Sequence, residues 1–265
     1  MGDHGAGLVI AENTRSTAVS VIPVLLYHSI SDRPSVAVGP YAISPATFER
    51  HLGLIQRRHQ ALSVSQLVER LLAGLPLPEQ AVVITFDDGF ADNLEVAAPM
   101  LARRALQATV YVTTGYVGRA SMLSWDQIAE LDAMGVEIGA HAHTHTPLDE
   151  LSLAEGRAEI RGSKALLEDK LGHSVPSFAY PHGYSDGAVK AEVRAAGFKS
   201  ACGVRNALSH TADDRWCIAR LTVMADTSLE RIEQWLGGNG APIAPKGEAL
   251  RTRVWRTVRR VRHAR

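Results

Sequence analysis

Two adjacent carboxylates, Asp87 and Asp88, follow an apolar run in the middle of the chain. Residues 82–84 are apolar and β-branched, which is typical of a strand that is buried on both faces. Side chains alternate along a strand, so the two acids share a direction only if the backbone turns, and Gly89 permits a turn. The pattern predicts a strand that delivers acids to its carboxyl end, where α/β folds keep their chemistry. The alternative is an ordinary Asp-Asp-Gly turn in which Asp caps a helix.

Three histidines, His141, His143 and His145, follow a second apolar run at residues 136–140. His141 and His145 lie four positions apart, and on one helical turn this spacing puts both imidazoles on the same face. Such a pair suits two nitrogen ligands of one metal. His143 would point away from a site that the other two share, as a supporting or an exposed residue. The pattern predicts metal binding.

Three motifs carry a resemblance to a known family. Residues 85–89 and 139–145 resemble the first two motifs of the polysaccharide deacetylase family (carbohydrate esterase family four, the chitooligosaccharide deacetylase homology domain). Residues 177–183 resemble its third motif in a Tyr-Pro-aromatic-Gly variant, and together the motifs place the resemblance over about residues 20–236. The resemblance implies an α/β fold, a distorted, incomplete (β/α) barrel of about seven parallel strands. It also implies a divalent metal and hydrolysis of N-acetyl groups on sugars.

Carried onto this sequence, the resemblance implies a role for each motif residue. Asp88, His141 and His145 would hold one divalent transition metal, and Asp87 would act as the general base. Zn²⁺ fits one carboxylate and two imidazoles, while Co²⁺ and Ni²⁺ remain open. The expected partner is an N-acetylated sugar or glycan, with acetate and a free amine as products.

The general acid is assigned to His28, which follows the apolar run 21–26 and the residue Tyr27. Many members of the family carry a late Leu-x-His motif for this role. A subset of exopolysaccharide-modifying members instead begins with a Tyr-His pair like Tyr27-His28. Imidazole suits the role because it titrates near neutral pH. The alternative is a histidine that caps the loop at residues 29–34.

The third motif predicts a groove wall, since Pro181 and Gly183 fix and turn the backbone. Trp125 either lines the sugar groove or anchors its helix to the core. The residues expected to contact substrate are Tyr180, Pro181, His182, Gly183 and Trp125.

The third motif departs from the common family form at Ala179, where an arginine usually orients the catalytic aspartate. Arg220, just before an apolar strand, is a candidate replacement. The alternative is a surface arginine at the start of that strand.

Composition narrows the class of protein. The chain has 265 residues, with 28 basic and 28 acidic side chains, so net charge gives no case for a nucleic-acid partner. Two cysteines form neither a disulfide framework nor a zinc knuckle. Candidate strands and helices alternate with short connections, which is typical of parallel βαβ units.

The chain divides into three predicted parts: a loosely ordered arm at 1–20, the catalytic barrel at 21–237, and a linker with a basic helix at 238–265. The arm lacks the basic start and long apolar core of a secretory signal, which predicts a cytoplasmic location. The arginine-rich end carries apolar residues at helical spacing, so it either touches an anionic membrane surface peripherally or forms a solvated or barrel-covering tail.

Two other functions stay open at this stage. One is a hydrolase of the same fold that acts on a small-molecule or lipid-linked sugar or on an O-acetyl ester. The other is a non-catalytic carbohydrate-binding relative that keeps the metal for structure. The presence of Asp87 argues against the second, because a structural site needs Asp88 but not its neighbour.

Overall fold

The computed structural model describes residues 19–245 and 247. Its centre is a parallel sheet that curls into an incomplete barrel. The strands are β1 (Val21–Ile22), β2 (Val24–Tyr27), β3 (Ser29–Ile30), β4 (Ala42–Ile43), β5 (Gln60–Leu62), β6 (Ala81–Phe86), β7 (Thr109–Val112), β8 (Glu137–Ala140), β9 (Ser177–Ala179), β10 (Ser200–Cys202), β11 (Ser209–His210) and β12 (Leu221–Thr222). The α-helices are α1 (Pro45–Arg58), α2 (Val64–Leu72), α3 (Ala98–Ala102), α4 (Trp125–Ala133), α5 (Leu153–Leu171), α6 (Gly187–Ala195) and α7 (Leu229–Leu236).

Local sequence signals begin several of these helices. Ser63, Ser124 and Ser152 each form a capping box, in which the serine hydroxyl accepts a backbone N–H of the first turn and a Gln or Glu side chain accepts the serine N–H. Ser44 caps α1, and Pro45 occupies its first position, where a missing N–H has no consequence. These caps fix the residue at which each of these helices begins.

The main sheet runs in the order β10-β9-β8-β7-β6-β2-β12, with every pair parallel. β5 pairs with the first half of β6 and β7 with its end, so β5 and β7 share one side of β6 at different heights. Between β10 and β12 the sheet is interrupted by an irregular stretch, in which Cys202 bridges Ile218 and the Ile218 N–H donates to the Ala201 carbonyl. The predicted distorted, incomplete barrel of about seven parallel strands is confirmed.

The residues of β6 alternate between two buried layers. Its even-numbered residues pack with α1 in the larger apolar core outside the sheet. Val83 instead joins Tyr111 and Cys202 in a second core inside the barrel. Thr85 and Asp87 continue the phase of Val83, so period-two alternation carries the Asp87 carboxylate into the barrel interior.

The segment after β8 differs from the helical turn that the histidine spacing predicts. Residues 141–147 form no helix. Ala142 and His145 have φ values of 60° and 65°, in the left-handed region. A helix cannot pass through such residues, so the helical interpretation is wrong and the loop itself decides where the two imidazoles point.

The two ends of the chain lie largely beyond the described part. Most of the predicted arm and the predicted basic helix fall outside the described residues. Residues 238–245 are described and run back along the barrel. There the Leu208 N–H donates to the Pro242 carbonyl, and the Ala244 N–H donates to the Leu208 carbonyl. Within the described ranges, no helix has the length and apolar character needed to cross a membrane.

Candidate metal centre and catalytic cleft

Asp87 lies at the top of the barrel interior, only 2% exposed, against a buried arginine. Arg220 Nη1 and Nη2 donate to the two carboxylate oxygens of Asp87, each at 2.7 Å. The rest of the guanidinium is held by the Thr85 hydroxyl at 3.2 Å and the Gly203 carbonyl at 2.9 Å. Arg220 is 0% exposed, so the surface alternative is wrong. In the common form of the third motif, the arginine would stand at position 179, the end of β9. Here the arginine that holds Asp87 comes from position 220, just before β12.

This pair controls the protonation of Asp87. Burial acts to raise the pKa of the carboxyl group, but the charge and the hydrogen bonds of Arg220 outweigh burial and hold the pKa below its ordinary value. Asp87 is consequently ionised at neutral pH. A fixed bidentate pair also orients the carboxylate, because both oxygens are engaged on the arginine side.

Asp88 turns away from the barrel interior and faces the histidine loop. Its φ of 75° is left-handed, and Gly89 follows at 83°, so the alternation of β6 ends here. The Asp88 Oδ1 lies 3.2 Å from His145 Nε2 and 3.6 Å from His141 Nε2. One ligand atom from each of these three side chains lies within 4.8 Å of the others. The backbone turn predicted at Gly89 therefore begins one residue earlier, at Asp88.

His141 is buried and held in one orientation. Its Nδ1 lies 2.8 Å from the Ala179 carbonyl, a pure acceptor, so Nδ1 carries the proton and donates. Burial lowers the pKa of the imidazole to about 4, with Asp87 acting in the opposite direction. Nε2 is left with a lone pair directed at Asp88, which is the tautomer that a metal requires.

His145 is the more exposed of the two histidines. Burial lowers the pKa of its imidazole, but contact with Asp88 outweighs burial and leaves the pKa above its ordinary value. The same contact contributes to holding the pKa of Asp88 well below its usual range. In the absence of a cation, a proton on His145 thus neutralises part of the negative charge that Asp87 and Asp88 place here.

The donor set fits a divalent transition metal. Asp88 Oδ1 is buried between two imidazole nitrogens and makes no well-aligned hydrogen bond to either. Buried acceptors are rarely left without a partner, and a cation between these three atoms would supply one. A carboxylate and two imidazoles match Zn²⁺, and Co²⁺ or Ni²⁺ also accept such ligands. Asp88, His141 and His145 are thus the residues that would hold the metal.

His28 lines the same cleft, a cavity of about 990 Å³ at the carboxyl ends of the strands. Its ring lies 5.0 Å from that of Tyr41, and its Nδ1 is buried with no hydrogen-bond partner in the described structure. The Asn93 side chain donates to the His28 carbonyl at 2.8 Å, which fixes the end of β2. The structure thus places His28 in the same cleft as Asp87 and Asp88.

The third motif is divided between cleft and core. His182 lines the cleft in a left-handed conformation, φ 56°, with its ring 4.5 Å from that of His145. Gly183 turns the chain at φ 75°, where a Cβ would lie 2.4 Å from the Val204 nitrogen. Tyr180 and Pro181 are buried, and the Tyr180 hydroxyl donates to the Trp216 carbonyl.

Three expected substrate contacts are therefore corrected. The side chains of Tyr180 and Pro181 do not line the cleft, because both are buried in the core, and the Tyr180 hydroxyl also makes a backbone hydrogen bond. Trp125, the first residue of α4, packs against the apolar core and lies outside the cleft, so the anchor alternative describes it. Side chains alternate in direction along a strand, and Tyr180 lies directly after β9. This alternation explains why its side chain faces the core and not the cleft.

His143 does not join the cluster. Its Nδ1 lies 2.9 Å from the Thr114 hydroxyl, and its backbone N–H donates to Glu159. The residue therefore supports the loop rather than the cleft.

Sequence reasoning missed four aromatic residues that line the cleft: Tyr41, Phe90, Tyr184 and Trp235. Tyr184 stacks on His182 with ring centroids 5.7 Å apart. Its position directly after the third motif was an available signal. Tyr41 is the last residue of a short 3-10 helix, Gly39–Tyr41, and nothing local connects it to His28.

Comparison with known proteins agrees with the motifs. The family model described as polysaccharide deacetylase matches residues 74–201. The Bacillus subtilis protein YxkH, whose name places it among polysaccharide deacetylases, is 30% identical over 172 residues, which cover 64% of this chain and 60% of that protein. A poly-beta-1,6-N-acetyl-D-glucosamine N-deacetylase of Staphylococcus aureus is 24% identical over 213 residues, covering 74% of this chain and 73% of the relative. The match thus spans less than two thirds of YxkH.

Solved structures share the fold. The Streptococcus pyogenes deacetylase PplD, solved in complex with acetate, superposes with a TM-score of 0.75 at 24% identity, covering 82% of this chain and 99% of that chain. A de-N-acetylase of Aggregatibacter actinomycetemcomitans superposes with a TM-score of 0.73 at 18% identity, covering 82% and 100%. The resemblance to the polysaccharide deacetylase family that the three motifs indicate is confirmed.

Proposed function

We propose that this chain, whose motifs and barrel are those of the polysaccharide deacetylase family, is a metal-dependent hydrolase that removes N-acetyl groups from amino sugars of a glycan. One observation carries the proposal. An ionised, arginine-held carboxylate, Asp87, stands in one cleft with a carboxylate and two imidazoles whose ligand atoms converge.

The cluster is the proposed metal centre. Asp88, His141 and His145 would hold one divalent metal, most simply Zn²⁺, and Co²⁺ or Ni²⁺ by the same donor set. When bound, such an ion supplies an acidified water and polarises a substrate carbonyl. The His141 Nδ1–H bond to Ala179 keeps Nε2 available without reorganisation.

Asp87 acts as the general base. Its carboxylate is ionised at neutral pH and points from the barrel interior toward the cleft, where His141 Nε2 lies 3.7 Å from its Oδ2. Arg220 holds the carboxylate on the opposite side, so the orientation does not change when a proton arrives. Asp87 accepts the proton of the attacking water, whose oxygen forms the new bond to the acetyl carbon.

His28 and the third motif complete the proposed machinery. His28 donates a proton to the amine nitrogen as the carbon–nitrogen bond breaks, giving acetate and a free amino sugar. Along residues 180–183, the amides of Tyr180 and Gly183 donate to Cys202 and Tyr180 carbonyls. His182 is the residue of this segment whose position in the cleft supports a role for its backbone amide at the developing oxyanion.

The substrate class rests on the shape of the cleft and the relatives. An open cleft of about 990 Å³ with aromatic rings on its walls suits a sugar chain better than a small ester. A relative named as an N-deacetylase of poly-beta-1,6-N-acetyl-D-glucosamine aligns over 74% of this chain. These observations favour an N-acetylglucosamine polymer or oligomer.

The experiment measures metal content and acetate release on the same samples. Wild type is expected to hold about one transition metal per chain and to release acetate from N-acetylglucosamine oligomers. His145→Ala should lose the metal, whereas Asp87→Asn should keep it and lose activity by about 10²–10⁴-fold, the range for a general base.

Two control variants change similar side chains away from the cleft. His173→Ala removes an exposed histidine, paired with Asp132, and Asp169→Asn neutralises an exposed carboxylate of α5. Both should retain metal and activity. Full activity of Asp87→Asn, or a wild type that binds no metal on reconstitution, would refute the proposed function.

A further inference from the structure

The loop between the two histidine ligands is held from outside the cleft by one carboxylate. Glu159, on α5, accepts the backbone N–H of His143 at 2.8 Å and that of Thr144 at 2.7 Å through the same oxygen, Oε2. Its other oxygen, Oε1, accepts the Thr144 hydroxyl at 2.9 Å. Both oxygens are therefore engaged by the residues that connect His141 to His145.

The opposite side of this loop is held by the turn after β7. The Gly115 N–H donates to the His143 carbonyl at 2.8 Å, and the Thr114 N–H donates to the Ala142 carbonyl at 3.2 Å. A Cβ at Gly115 would lie 2.5 Å from the His143 oxygen, so only glycine lets the two backbones approach so closely. The loop is thus clamped between Glu159 and the segment at 114–115.

The loop needs such restraint. It belongs to no regular element, and it passes through two non-glycine residues in the left-handed region, Ala142 and His145. Conformations of this kind persist only when the surroundings over-determine them. Since His145 is one of the two left-handed residues, any relaxation of the loop rotates its imidazole away from Asp88.

Two other roles for Glu159 fit less well. It is not among the convergent ligand atoms within the part of the chain that the structure describes. Nor does it behave as a solvated surface charge, because both oxygens accept bonds from the loop and the side chain is only partly exposed. The direction of these bonds, toward backbone amides, indicates that the carboxylate fixes a conformation.

We propose that Glu159 is a positioning residue of the metal centre, which sets the affinity for the metal by holding the loop in the conformation that aims His145 at Asp88. The inference rests on the proposed function, because it takes the cluster of Asp88, His141 and His145 to be a metal site. It adds to the metal centre a residue that lies 14 positions after His145, on a different element.

The test compares Glu159→Ala with Asp169→Ala in the metal-free full-length protein. Co²⁺ is titrated by calorimetry and by its visible absorption, and amide hydrogen exchange is followed in the peptide that covers residues 141–147. We expect Glu159→Ala to bind Co²⁺ about 10–100-fold more weakly, the range for groups that support metal ligands. Exchange in this peptide should be faster, and Asp169→Ala should match wild type in both measurements.

Glu159→Gln serves as the conservative variant. Its amide oxygen can still accept both backbone N–H groups, so it should recover most of the Co²⁺ affinity and of the exchange protection. If Glu159→Ala does not fold, Thr144→Val decides the question, with a smaller loss of affinity than the alanine variant would give.

Three results would overturn the inference. Co²⁺ affinity within twofold of wild type, in a Glu159→Ala protein with faster exchange, would show that Glu159 stabilises the loop without positioning a ligand. Where the alanine variant is not obtained, wild-type affinity and exchange in Thr144→Val would overturn the inference. A wild type that binds no Co²⁺ would remove the proposed function and this inference together.

Discussion

Replacing Arg220 by methionine isolates the contribution of the buried ion pair to stability and to the proposed chemistry. Methionine replaces the aliphatic stem of arginine and carries no charge, so Arg220→Met leaves the Asp87 carboxylate buried without its partner. The variant removes the two 2.7 Å bonds to Asp87 and also those to Thr85 and Gly203. The last two acceptors are then left inside the barrel with one partner fewer.

The expected loss of stability follows from the burial of both groups. Arg220 and Asp87 have side chains 0% and 3% exposed, so solvent cannot replace the missing partner. Removing one member of a buried pair costs about 3–5 kcal/mol of unfolding free energy, because an uncompensated charge remains. For a chain of this size, that loss lowers the midpoint of thermal unfolding by about 6–20 °C.

The loss of stability in Arg220→Met should depend on pH, in a direction that follows from the pKa of Asp87. In wild type the pKa of Asp87 is below its ordinary value, so the group contributes stability above the unfolded-state pKa, about 3.9, and loses it as pH falls through the folded pKa. Without Arg220, burial is the dominant influence and raises the pKa of Asp87 above that of the unfolded chain. The variant should therefore regain stability relative to wild type as the pH is lowered toward 4, and the acid limb of kcat/KM should move to higher pH.

Urea unfolding at several pH values and a pH profile of acetate release measure these effects. Arg161→Met is the matched control, because the Arg161 side chain is half exposed and its pair with Glu192 is worth only about 0.2–1 kcal/mol. The double variant Asp87→Asn, Arg220→Met should be more stable than Arg220→Met alone, since no charge stays buried. Stability of Arg220→Met within 1 kcal/mol of wild type, with an unshifted acid limb, would refute the role assigned to this pair.

Three further expectations follow from the site. His28→Asn should lower kcat about 10²–10⁴-fold without loss of metal, as removal of a general acid does; unchanged kcat would exclude His28 from proton donation. Because contact with Asp88 leaves the pKa of His145 above its ordinary value, metal binding near neutral pH should release a proton, and affinity should fall as the pH is lowered. Calorimetry in buffers of different ionisation enthalpy measures that proton, and an affinity independent of pH would contradict the ligand assignment. Tyr180→Phe should cost about 1 kcal/mol of stability through its lost bond to Trp216 and leave KM unchanged; a raised KM would return Tyr180 to the substrate groove.

The elements of the fold were predictable where local signals agree. The apolar run before Asp87 is a strand buried along its whole length, and serine caps begin helices α1 and α4 where the sequence places Ser44 and Ser124. Such signals need only neighbouring residues, because caps and strand burial patterns are properties of a few consecutive positions. The histidine spacing misled for the same reason. Spacing alone cannot distinguish a helical turn from a loop whose left-handed residues bring the same two side chains together.

The sequence by itself determined the chemical character of the site: adjacent carboxylates after a buried strand, paired histidines after another, and a turn that ends the third motif. Only the tertiary structure decided which groups meet. Arg220 reaches Asp87 across 133 positions, Tyr180 faces the core, and Glu159 clamps the histidine loop from a neighbouring helix. The physical reason is that side-chain type and short spacing are encoded locally, whereas contacts across a barrel depend on strand order, register and curl, which bring distant strand ends to one cleft.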